Sequence, residues 1–313
     1  DNPHSPIPNC RAVLDSNKKI YLICDKIKAK KLIREKKINK INLVLPNDFE
    51  LFTEKLKKGK IIIDDKSCSI FFEKILKKKF LVSKKKDPIY FMKSIKNKIE
   101  IKNMINSHIS DGVALTKFLY WIKNKNKKNI NEYQAQLKLE NFRKENKDYL
   151  YPSFNTIASA GKNGAIVHYK ADKIKSKKIR KDDIFLCDSG GQYLYGTTDV
   201  TRTICFSKPK KFVKEIFTKV LKGHIAVATA NLKKKYNGKL LDVLARRYLA
   251  KSRLDYKHGT GHGVGFFLNV HEGPQGISKF NKIKLLEGMI LSNEPGYYKK
   301  DKFGIRIENL IYV

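Results

Sequence analysis

His258-Gly259-Thr260-Gly261-His262-Gly263-Val264-Gly265 sets two histidines four residues apart among four glycines. Four glycines in eight residues rule out a stable helix. They allow tight turns instead, and let backbone come close to a site. The stretch therefore reads as strand and turn, as does everything from His258 to Val313. Just downstream stands His271, in Asn269-Val270-His271-Glu272-Gly273-Pro274, and upstream stands His168, after Gly164-Ala165-Ile166-Val167. Four of the seven histidines thus lie near glycine-containing turns in one part of the chain.

The acids of the same region are placed unusually. Asp188 ends the run Ile184-Phe185-Leu186-Cys187, and Asp199 opens Val200-Thr201-Arg202-Thr203-Ile204. Glu294 follows Met289-Ile290-Leu291, and Glu308 sits inside Ile305-Arg306-Ile307-Glu308-Asn309-Leu310. A carboxylate in an apolar strand is costly unless it is paired. Separate ion pairs would account for one such residue. They account poorly for four, because lysine rarely enters a core. Two divalent cations shared by four carboxylates balance the charge locally and make the burial tolerable. Four histidines beside four such acids point to a metal hydrolase. If residues 305–310 form one strand, Arg306, Glu308 and Leu310 share a face, which makes Arg306 a partner for a ligating carboxylate.

Around this half the pattern is mixed. Residues 1–92 read as alternating strands (20–24, 41–45, 61–63) and helices (26–37, and 47–57 capped by Asn47 and ended by Gly59). Their continuous apolar runs suit an α/β sheet covered on both faces. Pro88 marks a linker. Residues 94–121 read as a helix whose apolar stripe runs through Ile101, Ile105, Ile109 and Val113, with His108 a packed helix residue rather than a ligand. Helices are also expected over 131–147, 209–232 and 240–252, with strands between. The expected fold is α+β for residues 93–313.

The bulk numbers exclude some classes. The chain has 313 residues, 41% hydrophobic and 31% charged, enough to build a sizeable core. Five cysteines with no C-x-x-C spacing argue against a disulfide framework and a zinc finger, and reduced thiols fit the cytoplasm. No apolar run has the length of a membrane span, and no signal segment opens the chain. The net charge of +37 comes mainly from Lys spread along the whole chain beside abundant Ile and Asn. That is compositional drift rather than a basic face, and no nucleic-acid partner is expected from it.

Longer motifs now bear on the reading. Asn163-Gly164-Ala165-Ile166-Val167-His168-Tyr169, Asp188-Ser189-Gly190-Gly191-Gln192-Tyr193 and Gly196-Thr197-Thr198-Asp199-Val200-Thr201-Arg202-Thr203 come first. The stretch 258–274, then Asn293-Glu294-Pro295-Gly296-Tyr297-Tyr298 and Gly304-Ile305-Arg306-Ile307-Glu308-Asn309 complete the set. Together they resemble the pita-bread metallopeptidases, and within them the cytosolic type of aminopeptidase P. The resemblance covers residues 95–313. Residues 1–92 resemble the later part of the creatinase-type non-catalytic domain. The chain begins with Asp1 rather than Met and stops just after the last motif. The expectation is a fragment that lacks the preceding domain or domains and the family's C-terminal continuation.

The resemblance implies a pita-bread catalytic domain with five metal ligands, Asp188, Asp199, His262, Glu294 and Glu308. Asp199 and Glu308 would bridge two divalent metal ions, Asp188 would chelate the first, and His262 and Glu294 would hold the second. One imidazole with four carboxylates is an oxygen-rich set that suits manganese, with cobalt or zinc as substitutes. A metal-bridging hydroxide would attack the bond before a proline in the second position of a peptide. Glu294 would act as general base. His258 and His271 would stabilise the oxyanion or carry a proton to the leaving nitrogen, and His168 would contact substrate. The full-length protein would be a homodimer, with no membrane partner. The rivals are a prolidase, which shares the ligands but takes dipeptides, and a metal-free pita-bread binding module.

Overall fold

The computed structural model describes residues 2–124, 130–232 and 237–313. The chain forms two compact units, one over residues 7–89 and one over residues 90–313 joined by residues 3–6.

In the first unit β1 (Arg11–Leu14) pairs antiparallel with β2 (Ile20–Ile23), which pairs parallel with β3 (Leu43–Val44). A second, parallel pair joins β4 (Lys60–Ile63) to β5 (Leu81–Lys84). Helices α1 (Lys26–Arg34), α2 (Phe49–Lys55) and α3 (Ile70–Lys77) connect them. The core is Ile23, Val44, Phe49, Ile63, Ile75 and Leu76.

Three expectations here need correction. Residues 40–42 form a 3-10 turn, because the Asn39 side chain accepts the Ile41 N–H, so only Leu43–Val44 is strand. The turn 46–48 precedes α2, so Asn47 lies inside it and caps nothing. The β4 run is not covered on both faces. Ile63 is buried and Ile62 is exposed, as alternation along a strand requires when one face packs.

The short helix α4 (Pro88–Met92) leads into the long α5 (Lys98–Asn124). Helix α5 starts at Asn97, whose side chain accepts the Ile99 and Glu100 N–H groups while Glu100 accepts the Asn97 N–H. The apolar stripe expected to pack does the reverse. Ile105, Ile109 and Val113 are exposed, at 42%, 62% and 52%, while Met104, Ser107, Asp111, Ala114, Leu115, Phe118 and Ile122 are buried. The reason is a polar anchor inside the core. Asp111 accepts two bonds from Arg143 on α6 (Glu132–Lys144), at 2.6 and 3.0 Å, and one from Tyr193 at 2.8 Å. Burial would raise the Asp111 pKa, but the Arg143 charge holds it below the usual carboxylate value. A stripe rule that counts only apolar residues cannot see a buried face organised by an ion pair. His108, half-buried on the same helix, bonds through Nδ1 to the Met104 carbonyl.

Helices α5 and α6 pack on the antiparallel sheet β7 (Ile157–Ala160), β8 (Ile184–Ser189) and β11 (Val200–Cys205). A second antiparallel sheet holds β6 (Tyr149–Pro152), β9 (Gly191–Tyr193) and β10 (Gly196–Thr197). Arg143 also donates to Ser189 Oγ, which ties the helix pair to the end of β8 beside Asp188. Helices α7 (Lys211–Ala228) and α8 (Gly238–Ala250) back the C-terminal strands, four antiparallel partners and a small ladder. These are β12 (Gly261–His262) with β13 (Gly276–Ile277), β14 (Ile290–Asn293) with β17 (Asn309–Tyr312), and β15 (Gly296–Lys299) with β16 (Phe303–Arg306).

Residues 305–310 are therefore not one strand. The chain changes partner after Arg306, from β15 to β14. Ile307 and Glu308 instead donate their N–H groups to Pro295 and Thr201 carbonyls. All five cysteines are free thiols. Among the described residues no helix is long and apolar enough to cross a membrane.

Candidate metal centre

One cavity, about 310 Å³, is lined by His168, Asp188, Asp199, His258, His262, His271, Glu294, Arg306 and Glu308. All nine residues singled out in the sequence therefore meet in one cleft. They arrive from six places in the chain, and the strand pairing explains how. Asp188 on β8 stands opposite Thr201 on β11, so Asp199, just ahead of β11, lies beside it. Glu308 reaches the same level because its N–H bonds to the Thr201 carbonyl. His262 on β12 and Glu294 after β14 are joined through Ser292, which accepts the His262 N–H at 2.9 Å and donates to Glu294 Oε1 at 3.0 Å. Gly261 makes that crossing possible. A Cβ there would stand 1.9 Å from the Ser292 carbonyl oxygen.

At the centre, one atom each from Asp199, His262 and Glu308 lies within 4.8 Å of the others. His262 Nε2 stands 3.4 Å from Asp199 Oδ2 and 3.5 Å from Glu294 Oε1. Its Nδ1 donates to the Gly263 carbonyl at 2.9 Å, which leaves Nε2 as the ring nitrogen that faces the acids. Asp188 Oδ2 accepts from Arg306 at 2.6 Å, while Asp188 Oδ1 is buried without a hydrogen-bond partner among the described residues. Glu308 Oε2 accepts from Thr201 Oγ1 at 2.6 Å.

The charges do not balance. Burial, then the Asp188 and Glu294 charges, push Asp199 well above the usual carboxylate range, against the pull of Arg306. Burial, then Asp199, Glu294 and Asp188, do the same to Glu308. Burial also raises Glu294, although His262 and Arg306 oppose it. Four acids with one guanidinium among them leave a deficit of positive charge. An orphaned Asp188 oxygen and the His262 Nε2 face that deficit. This donor set fits divalent cations held mainly by oxygen.

The remaining histidines differ in how free they are. Arg306 donates to the Tyr298 hydroxyl at 2.7 Å, and that hydroxyl is 2.8 Å from His258 Nε2. His258 Nδ1 bonds to the Gly259 carbonyl, so the hydroxyl is the donor to Nε2 and the ring is neutral. Burial, then Arg306, lowers the His258 pKa to about 4. Withdrawal from water, then the neighbouring His262, lowers His271 to about 4 as well. The His271 ring packs edge-on against His262, with centroids 4.2 Å apart.

Sequence reasoning gave Thr201, Ser292 and Tyr298 no role. Thr201 could have been found, since it alternates with Asp199 and so shares its face of the strand. Ser292 could have been found in the same way, since it stands two residues before Glu294 and bonds to it, whereas the His258 partner of Tyr298 is 40 residues away.

The comparisons with known proteins agree with this geometry. The metallopeptidase family M24 pattern matches residues 102–313, and the creatinase/prolidase N-terminal domain pattern matches residues 1–100. A probable Xaa-Pro aminopeptidase P of Paracoccidioides brasiliensis (strain Pb03) is 50% identical over 218 residues, 68% of this chain and 35% of that protein. Its counterpart in Aspergillus fumigatus (strain CBS 144.89 / FGSC A1163 / CEA10) is 50% identical over 219 residues, 68% and 34%. The chain thus spans about a third of the length of these relatives. Among solved structures, the cytosolic X-prolyl aminopeptidase of Caenorhabditis elegans, described with a di-nuclear active site, superposes with a TM-score of 0.84 at 30% identity. That match covers 99% of this chain and 52% of the other. A prolidase of Thermococcus sibiricus gives 0.81 at 28% identity, over 97% and 82%. On the family pattern, which covers more than half its length, the chain belongs to metallopeptidase family M24, with the α+β pita-bread fold and a creatinase-type N-terminal domain.

Proposed function

We propose that this chain carries the catalytic part of an aminopeptidase that hydrolyses the bond between an N-terminal residue and a following proline. The observation that carries this is the meeting of Asp188, Asp199, His262, Glu294 and Glu308 in one cleft, with a buried Asp188 oxygen left without a partner among the described residues. In this reading residues 1–92 are part of the non-catalytic domain and residues 93–313 the catalytic one. The five residues hold two divalent metal ions, which supply Lewis-acid polarisation and an activated water when bound. Oxygen-rich donors favour manganese, with cobalt or zinc as substitutes. The full-length protein is a cytoplasmic homodimer.

Each residue has work of its own. Thr201 and Arg306 hold the Glu308 and Asp188 carboxylates in place. Ser292 orients Glu294, the general base that takes up the proton of the attacking water. His271 and His168 face the cavity and are placed to donate to a developing oxyanion or bind the substrate backbone. His258 is held neutral by Tyr298. It can serve the leaving proline nitrogen only once Nε2 has let go of the Tyr298 hydroxyl and taken the proton that Glu294 removed from the attacking water.

The test is metal content measured together with cleavage of an X-Pro-Y tripeptide, before and after chelation. Cleavage that is lost on chelation and restored by manganese supports the reading. Bound metal with cleavage of X-Pro dipeptides alone favours a prolidase, which the Thermococcus sibiricus likeness keeps in view. Absence of bound metal after purification favours a binding module.

A further inference from the structure

We propose that the cavity beside the metal cleft is a subsite for a carboxylate on the peptide downstream of the scissile bond. The inference rests on the X-Pro reading above. This second cavity is about 630 Å³, within the range of ligand pockets of roughly 300–1,000 Å³. Val167 lines both cavities, so they adjoin. Three turns wall it, and each belongs to a segment that serves the cleft. One precedes His168, one precedes His258, and one follows Tyr298, whose hydroxyl bonds to His258.

Each wall contributes one exposed lysine: Lys162, Lys257 and Lys300. Among the described residues none of the three is in an ion pair. Of the two acids on the lining, Asp255 is already met by Arg246 at 2.7 Å and Lys279 at 3.1 Å. Asp301 alone offsets the three ammonium groups. In the proposed reaction the leaving proline lies on the His258 and His168 side. Residues after it continue past Val167 and Tyr298 into this basic cavity. A side-chain carboxylate there, or the peptide's own C-terminus, meets three lysines that form no ion pair among the described residues.

The experiment uses the metal-loaded chain and three peptides: X-Pro-Ala-Glu-amide, X-Pro-Ala-Gln-amide and X-Pro-Ala-Gln with a free C-terminus. A carboxylate should raise kcat/KM by about two- to fivefold for each lysine it engages. The Glu arm identifies a side chain as the ligand and the free-acid arm a chain terminus; a gain in either supports the subsite. Lys162→Glu, Lys257→Glu and Lys300→Glu together should invert the preference. Each single reversal, with its fold checked by circular dichroism, should reduce it in case the triple variant does not fold. Lys147→Glu, Lys222→Glu and Lys239→Glu together change the net charge equally, away from the cavity, and should leave the preference intact. An equal loss in that control would mean a long-range field, which overturns the subsite. Cleavage of the Gln amide with no gain from any carboxylate overturns the subsite alone. No cleavage of any X-Pro peptide overturns the reading beneath it, and the subsite with it.

Discussion

Thr201→Val isolates the support beneath Glu308. Thr201 is fully buried, so valine replaces the hydroxyl with a methyl group of nearly the same shape. The change removes the 2.6 Å bond to Glu308 Oε2 and the weaker 3.3 Å contact from Arg306 Nε. A hydrogen bond to a charged group contributes about 1.5–3 kcal/mol, equivalent to about a 10- to 150-fold change in an equilibrium constant. Arg306 keeps its bonds to Asp188 and Tyr298, so the Asp188 side of the site stays in place. Without metal, Glu308 is pushed toward its protonated form, and the bond matters less to the fold. The loss should therefore appear in cation binding. Competition with a chromophoric chelator should show manganese bound about 10- to 100-fold more weakly. The metal-free protein should unfold in urea close to wild type. A manganese affinity within twofold of wild type would refute the reasoning, as would an equal loss of stability with and without metal.

His258→Ala should lower kcat by about 100- to 10,000-fold with metal content unchanged; loss of metal in elemental analysis would make His258 a ligand instead. Asp111→Asn breaks a buried pair and should cost about 3–5 kcal/mol in urea unfolding; a loss below about 1 kcal/mol would show that the pair anchors nothing. The metal-free protein should lose stability as pH rises. Asp199, Glu294 and Glu308 have raised pKa values when folded, so the native state holds protons that the unfolded chain has released above about pH 4. Glu308→Gln should therefore stabilise the chelated protein at pH 8, by a margin that shrinks toward pH 5, while weakening metal binding; unfolding curves at both values check the sign.

Much of the site could be read from the chain because its chemistry contradicts its surroundings. An acid at the end of Phe185-Leu186-Cys187, or between Ile307 and Asn309, is expensive wherever the strand is buried. That cost is local and can be seen one residue at a time. The failures came where a pattern had two solutions. The α5 stripe of Ile105, Ile109 and Val113 has helical spacing, yet it faces outward because Asp111 and Arg143 organise the buried side. The strand drawn through residues 305–310 breaks because the chain changes partner there, and pairing is decided by residues far along the chain.

The sequence by itself determined which residues must gather: carboxylates too costly to bury alone, and histidines in turns too rich in glycine for a helix. Tertiary structure alone decided how they are held. Thr201 under Glu308, Ser292 between His262 and Glu294, and Tyr298 between Arg306 and His258 are contacts across 107, 30 and 40 residues. The physical reason is reach. Burial cost and backbone propensity act within a few residues, whereas a hydrogen bond depends only on where the folded backbone sets its two ends.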